Sequence, residues 1–268
     1  MKIEPISSQQ NPRYKRALRL QSSRSRRQEN QTLVIGLREV ERAILAGATI
    51  LEVMVNGEQV EQPNVRHVLS QLKEGDPTKV FSLTSQMLDK LAYGDRESSV
   101  VAIVQRPETS LRHLAIAEDS LIIVLESLEK PGNLGAIVRS ADASGCSAII
   151  LADPKTDIFH PNAIRSSVAT VFSIPIAIGS QAEVEQWLLS HHFQIYFAFA
   201  EASIHLFQID LTGKSAVVFG NEAEGIGHGW HKELGKNVSI PMRGIGDSLN
   251  VSVTASLFMY ERLRQLQK

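Results

Sequence analysis

Five short apolar runs set the strongest limit on how this chain folds: Leu121–Leu125, Ala148–Leu151, Gln194–Ala198, Ala216–Phe219 and Val238–Ile240, each separated from the next by a helical or loop segment. The first, Leu-Ile-Ile-Val-Leu, is apolar throughout rather than alternating, the pattern of a strand covered on both faces. Strands alternating with helices imply a parallel sheet between helical layers, and thus an α/β fold. Ligands of such sheets bind beyond the carboxyl ends of the strands, so the residues just after each run are where chemistry is expected.

The first hundred residues repeat the rhythm on a smaller scale. Strands are expected at Thr32–Ile35, Ile50–Val55, Val80–Leu83 and Val100–Val104, with helices at Val40–Ala46, Val65–Leu72 and Ser85–Leu91, the last capped by Ser85. Gln105–Asp119 is polar and contains Pro107, as a linker would. A chain of 268 residues suits two compact domains. The expected division is a basic arm at 1–30, a small α/β domain at 31–106, a linker at 107–118 and the larger parallel-sheet domain at 119–268.

Hydrophobic residues form 43% of the chain and charged residues 21%, so neither disorder nor a fibrous repeat is indicated. The one cysteine, Cys146, has no disulfide partner and is expected to be a small core residue. With no signal-peptide pattern at the N-terminus and no apolar stretch of membrane-spanning length, a cytoplasmic protein is expected. The net charge of −1 conceals an asymmetry: residues 1–42 hold ten Lys or Arg against four Glu. Arg13, Lys15, Arg16, Arg19, Arg24, Arg26 and Arg27 follow one another with no acid between them. This segment, 11–29, reads as a basic amphipathic helix, a loosely held arm anchored by Tyr14, Leu18 and Leu20. Its cations either displace counterions from a phosphate backbone or are simply solvated.

Three loops after strands stand out. Glu129–Gly135 leads into a helix over Ala136–Ser144, where Gly135 and Arg139 share a face and leave room for a ribose or phosphate; alternatively this is a glycine turn with a surface Arg. Phe219-Gly220-Asn221-Glu222 places glycine where a backbone can approach a ligand without a Cβ between them. Ile240-Pro241-Met242 is followed by a glycine loop and Ser248-Leu249-Asn250, with Ser248 or Asn250 as the cap of a helix from about Val251 to Arg264. Neither a GK[ST] phosphate loop nor a GxGxxG dinucleotide fingerprint is present.

Taken together and in this order, the motifs Asn133-x-Gly135-x-x-x-Arg139, Gly220-Asn221-Glu222 and Ile240-Pro241-Met242 with Ser248-Leu249-Asn250-Val-Ser-Val resemble the SpoU (TrmH-type) RNA 2′-O-ribose methyltransferases. The resemblance covers residues 119–264. More weakly, through Val34–Ala43, the N-terminal part resembles the ribosomal-protein-like RNA-binding domain of members that modify large-subunit ribosomal RNA. It implies a trefoil-knotted SPOUT-class domain, a homodimer, and S-adenosylmethionine held at Gly220, Ile240 and Leu249. It further implies a catalytic group of Arg139, Asn133, Glu222, Ser248 and Asn250, with Arg139 foremost. Arg165, in an Arg-x-Ser segment like the family's, is expected to meet RNA or cofactor, and Arg13, Lys15 and Arg16 to meet RNA. Ala169 departs from the pattern, standing where many members have glycine.

Other features read as structural. His191 and His192 lack partners at metal-ligand spacing, and no metal is expected. Trp187 and Trp230 are expected to pack helices. Nothing organises Glu126 with Glu129, or Glu222 with Glu224, as a carboxylate pair for hydrolysis. The alternatives are a transfer-RNA methyltransferase and a non-catalytic RNA-binding protein that keeps the fold.

Overall fold

The computed structural model describes residues 2–72, 78–92 and 98–267. The chain forms two compact units, Met1–Pro107 with Ile158–Ser173, and Glu108–Asp157 with Ile174–Lys268.

The first unit contains β1 (Ile3–Pro5), α1 (Pro12–Arg19), α2 (Ser23–Glu29), β2 (Gln31–Ile35), α3 (Leu37–Leu45), β3 (Ile50–Asn56), α4 (Pro63–Ser70), β4 (Lys79–Leu83), α5 (Ser85–Leu91) and β5 (Val100–Gln105). Its sheet runs β1-β4-β3-β5-β2, with β5 antiparallel to both neighbours. The basic segment is no loose arm. It is two helices, and Tyr14, Ala17 and Leu20 are fully buried in a cluster with Met54, Phe81 and Leu88. Apolar residues at intervals of three gather on one face, and that face is the interior one. The Tyr14 hydroxyl donates to the Met87 carbonyl oxygen at 2.9 Å. Thr84, not Ser85, caps α5: it sits in extended backbone just before the helix and accepts from the Met87 N–H.

The second unit runs β6 (Leu121–Glu126), α6 (Pro131–Ser144) and β7 (Ala148–Ala152). The chain then leaves for α7 (Pro161–Ser166) and returns as β8 (Ile176–Gly179), α8 (Gln181–Ser190), β9 (Gln194–Ala198), β10 (Ile204–His205), β11 (Ser215–Phe219), β12 (Gly235–Ser239) and α9 (Val251–Leu266). The sheet order is β10-β12-β9-β11-β6-β7-β8, parallel throughout. All residues of β6, β7 and β11 are buried, as their unbroken apolar runs require. β8 and β10 were not expected; they are four and two residues long, too short to leave a pattern. Much of the expected linker is tied to this unit: Leu111, Leu114 and Ile116 pack on its core, and the Thr109 carbonyl accepts from the Ile178 N–H. Cys146 is buried as expected, and burial pushes its thiol up to about 12.

The excursion between β7 and β8 completes the first unit. β2 is an edge strand there, and α7 lies against it. The Thr32 hydroxyl donates to the Phe159 carbonyl at 2.7 Å, the Arg106 guanidinium lies 4.8 Å from the Phe159 ring centre, and Phe172 packs nearby. An edge covered in this way is closed to pairing with another chain. Ala169, where the family pattern favours glycine, has φ of 64°, and Val168 beside it 52°, both left-handed. A glycine would adopt that backbone without strain, which accounts for the preference.

Phe159 is fully buried, so Phe159→Ala should cost about 3–5 kcal/mol of stability in urea titration. A loss below about 1 kcal/mol would show that the excursion is not part of this unit's core.

Candidate active site

The loops after β6, β11 and β12 converge on one cavity of about 420 Å³ within the second unit. That is in the range of small-molecule sites, roughly 300–1,000 Å³. Each loop has a local cause. After β6 the chain turns through Ser127 at φ 50°, and Pro131 in the first turn starts α6, which leaves Asn133 facing the cavity. After β11, Asn221 and Gly225 exchange backbone hydrogen bonds at 2.9 and 3.0 Å, folding the chain back over Gly220. A Cβ on Gly220 would lie 2.1 Å from the carbonyl carbon of Gly225. Glycine is therefore required by the protein's own backbone, rather than only by a ligand's approach. After β12, Asn250 caps α9: its Oδ1 accepts from the Ser252 N–H and hydroxyl at 2.9 and 2.6 Å. Ser248 is not the cap.

One chain of side-chain hydrogen bonds joins all three loops. Asn133 Nδ2 donates to Glu222 Oε1 at 2.9 Å, and Asn250 Nδ2 donates to Asn133 Oδ1 at 3.2 Å. Phe219, Val238, Ile240, Leu249 and Phe258 give the cavity apolar walls, while Lys130, Glu222 and Asp247 bring charge to its lining. This mixture suits a ligand with an apolar ring system and a charged end. Glu129, beside the first loop, pairs with Lys155 at 2.9 Å, and that hydrogen bond and charge hold its carboxyl below the usual range.

The long connection from β11 to β12 is pinned by two nearly buried carboxylates. Glu126 Oε2 accepts from the Gly227 N–H at 2.9 Å, and Glu185 accepts from the His231 N–H and ring Nδ1, each at 2.8 Å. Trp230 is buried edge-on to Phe197, and Trp187 stacks on Phe193, so both pack as expected. His191 ends α8, its ring against the Trp187 carbonyl. Among the described residues no cluster of His, Cys, Asp or Glu could hold a metal.

Asn133, Glu222, Ser248, Asn250, Gly220, Ile240 and Leu249 all line the cavity. Arg139 does not: it is exposed on α6, six residues beyond Asn133. Six residues are about 9 Å along a helix and a third of a turn from the same face. Arg165, Arg13, Lys15 and Arg16 belong to the first unit. Arg165 is exposed on α7; Arg13 and Arg16 both pair with Glu52, at 2.6 and 3.1 Å. Lys15 is exposed and makes no ion pair among the described residues. Sequence reasoning missed Asn221. Its Nδ2 donates to the Ser127 carbonyl and its Oδ1 accepts from the Ala223 and Glu224 N–H groups, strapping the second loop to the first. An Asn after a strand and a glycine, able to form such a turn, was the available signal.

Residues 120–260 match the SpoU rRNA Methylase family. The chain belongs to that family. Residues 11–102 match a second description, the MRM3-like substrate binding domain. Among relatives of this SpoU-family chain, the 23S rRNA (uridine(2479)-2′-O)-methyltransferase of Streptomyces viridochromogenes is 28% identical, covering 95% of this chain and 90% of its own length. The 23S rRNA (guanosine-2′-O-)-methyltransferase RlmB of Xylella fastidiosa is 33% identical, covering 70% and 78%. Among solved structures, the SpoU methyltransferase AviRb from Streptomyces viridochromogenes in complex with the cofactor AdoMet is 26% identical, with a TM-score of 0.88 over 97% of this chain and 99% of that one.

Gly220→Ala should force the loop open and cost about 1–3 kcal/mol, lowering the melting temperature in calorimetry; an unchanged transition would contradict the tight fold-back. Glu185 raises the pKa of His231 by hydrogen bond and charge. The stability this pair contributes is full below pH 6.5 and fades as pH rises through the raised value. Melting temperatures across pH 5.5 to 8.5 should therefore show a low-pH gain in the wild type that His231→Ala lacks.

Proposed function

We propose that this chain transfers the methyl group of S-adenosylmethionine to a ribose 2′-hydroxyl of large-subunit ribosomal RNA. The observation that carries the reading is the Glu222–Asn133–Asn250 hydrogen-bond chain, which unites the three family motifs around one cavity. The two relatives named above act on a uridine and a guanosine of 23S rRNA, so the common chemistry is at the ribose rather than the base.

The cavity fits S-adenosylmethionine. Ile240, Leu249 and Phe258 offer an apolar slot for the adenine, Gly220 a bare backbone edge, and Glu222 and Asp247 negative charge for a ligand bearing a sulfonium and an ammonium. Bound there, the cofactor supplies a methyl group already activated for transfer. The protein's task is to position the acceptor and ease loss of its proton. A guanidinium is a poor proton acceptor, so Arg139 is no base. Its fork grips the phosphate next to the target ribose and favours the developing charge on the 2′-oxygen. Asn133, Glu222, Ser248 and Asn250 shape the wall that the ribose meets. Of the four first-unit cations assigned to substrate, Lys15 and Arg165 are exposed and face RNA; Arg13 and Arg16, committed to Glu52, contribute mainly to folding.

The active form is a homodimer. Arg139 stands off the cavity of its own chain, and α9, packed beside α6, leaves Val253, Leu257 and Tyr260 between 39% and 49% exposed. On this reading a second copy covers the stripe, and Arg139 serves the partner's cavity rather than its own. The trefoil knot of the family accords with the strand order and with the return of α9 onto α6. The setting is the cytoplasm, where a reduced Cys146 and a ribosomal substrate belong together; no helix among the described residues is long and apolar enough to cross a membrane.

Mapping 2′-O-methylation in total RNA with and without the gene tests the substrate. Loss at one large-subunit site is expected, and loss confined to transfer RNA would overturn it. Arg139→Ala should bind S-adenosylmethionine normally yet lose at least about a hundredfold in turnover, with Arg139→Lys only partly restored. Mixing Arg139→Ala with a cavity-defective Asn133→Ala chain should restore a fraction of the activity if the site is shared between copies; no recovery would place Arg139 in its own chain's site.

A further inference from the structure

Between β12 and α9 the loop Met242-Arg243-Gly244-Ile245-Gly246-Asp247-Ser248 carries an unusual residue at its tip. Ile245 is wholly exposed, at 104%, more than any other large apolar side chain among the described residues. Gly244 and Gly246, on either side, have nothing within 4 Å of where a Cβ would stand, so the tip projects freely. Met242, Asp247 and Ser248, on both sides of the tip, line the cavity. Two virtual bonds separate Ile245 from Asp247, so its Cα lies within about 7 Å of a lining residue. Arg243 is exposed and makes no hydrogen bond or ion pair among the described residues.

A single exposed apolar side chain is ordinary on a protein surface; Ile245 differs in its place, on a glycine-flanked tip beside the cavity mouth and uncovered among the described residues. A flat protein partner would need a contiguous patch, and the stripe on α9 is the surface of that kind. A base stack asks for something different: one narrow apolar wedge, with a cation beside it for the phosphate. The 2′-hydroxyls of an RNA helix face its shallow minor groove, and a nucleotide splayed from its neighbours presents its ribose to a cavity more fully than one held in the helix.

We infer that Ile245 is a wedge that enters the RNA stack next to the target nucleotide, with Arg243 holding an adjoining phosphate, so that the ribose is presented to the cavity. This rests on the RNA reading above. The wedge is a positioning device; it does not touch the reacting atoms.

The test uses full-length protein, S-adenosylmethionine with a labelled methyl group, and an unmodified transcript of large-subunit ribosomal RNA. Ile245→Ala should lower turnover per RNA bound by about tenfold or more, Ile245→Met should restore most of it, and Ile245→Asp should be worse than Ala. Affinity for S-adenosylmethionine by calorimetry and mass by light scattering should not change. With 2-aminopurine placed beside the methylated nucleotide, the wild type should raise its fluorescence on binding, and Ile245→Ala should bind without the rise. Wild-type turnover by Ile245→Ala overturns the wedge. A parallel loss of cofactor affinity would make Ile245 part of the cavity instead, and a change of mass would make it a contact between copies; either also overturns it. Wild-type protein that methylates no RNA would instead overturn the RNA reading, and the wedge with it.

Discussion

At Gly220 the chain passes so close to its own backbone at Gly225 and Ile226 that no side chain could stand between them. The other features of the cavity follow from that approach. It turns the loop after β11 sharply enough for Glu222 to meet Asn133, and Asn133 in turn receives Asn250 from the cap of α9. Three loops far apart in sequence thus share two hydrogen bonds, the Asn133–Glu222 bond charge-assisted and the Asn250–Asn133 bond between neutral amides at the starts of two helices. Asn221 holds the arrangement from behind by tying the fold-back to the Ser127 carbonyl.

The buried carboxylates extend this logic away from the cavity. Glu126 and Glu185 each accept backbone N–H groups from a connection that forms no regular structure of its own beyond a short turn. A long irregular segment has many backbone donors to satisfy, and a nearly buried carboxylate satisfies them strongly. Neither residue belongs to a hydrolytic pair; they hold the same connection at two points, Gly227 and His231.

Much of this was legible in the sequence, for physical reasons. β6, β7 and β11 are buried on both faces, so their apolar runs had no competing reading. The three loops were visible because glycine, asparagine and proline follow strands there. What was hidden depends on distance in the chain. β2 looked like an ordinary strand, yet it is an edge covered by a segment some 127 residues later, at Phe159. No local pattern encodes such pairing. The basic segment misled because its charge was more conspicuous than its three buried apolar residues: Tyr14, Ala17 and Leu20 decide its position, Arg26 is buried with them, and Arg13 and Arg16 neutralise Glu52. Gly220 was singled out for its place after a strand, but its close approach to Gly225 and Ile226 had no local signal.

The position of Arg139 has an electrostatic reason on the proposed mechanism. A cofactor that carries a sulfonium is attracted by the carboxylates of Glu222 and Asp247, both on the cavity lining. Lys130 already brings one cation to that lining, and a guanidinium fixed there as well would oppose the cofactor further, by about 4 kcal/mol at 4 Å and an effective dielectric of 20. Arg139, exposed on α6 and outside the lining, leaves its own cavity free of that repulsion. On the proposed mechanism the RNA phosphate brings the negative charge that makes an arginine beside a cofactor favourable, so the cost of that cation is offset once the substrate is bound.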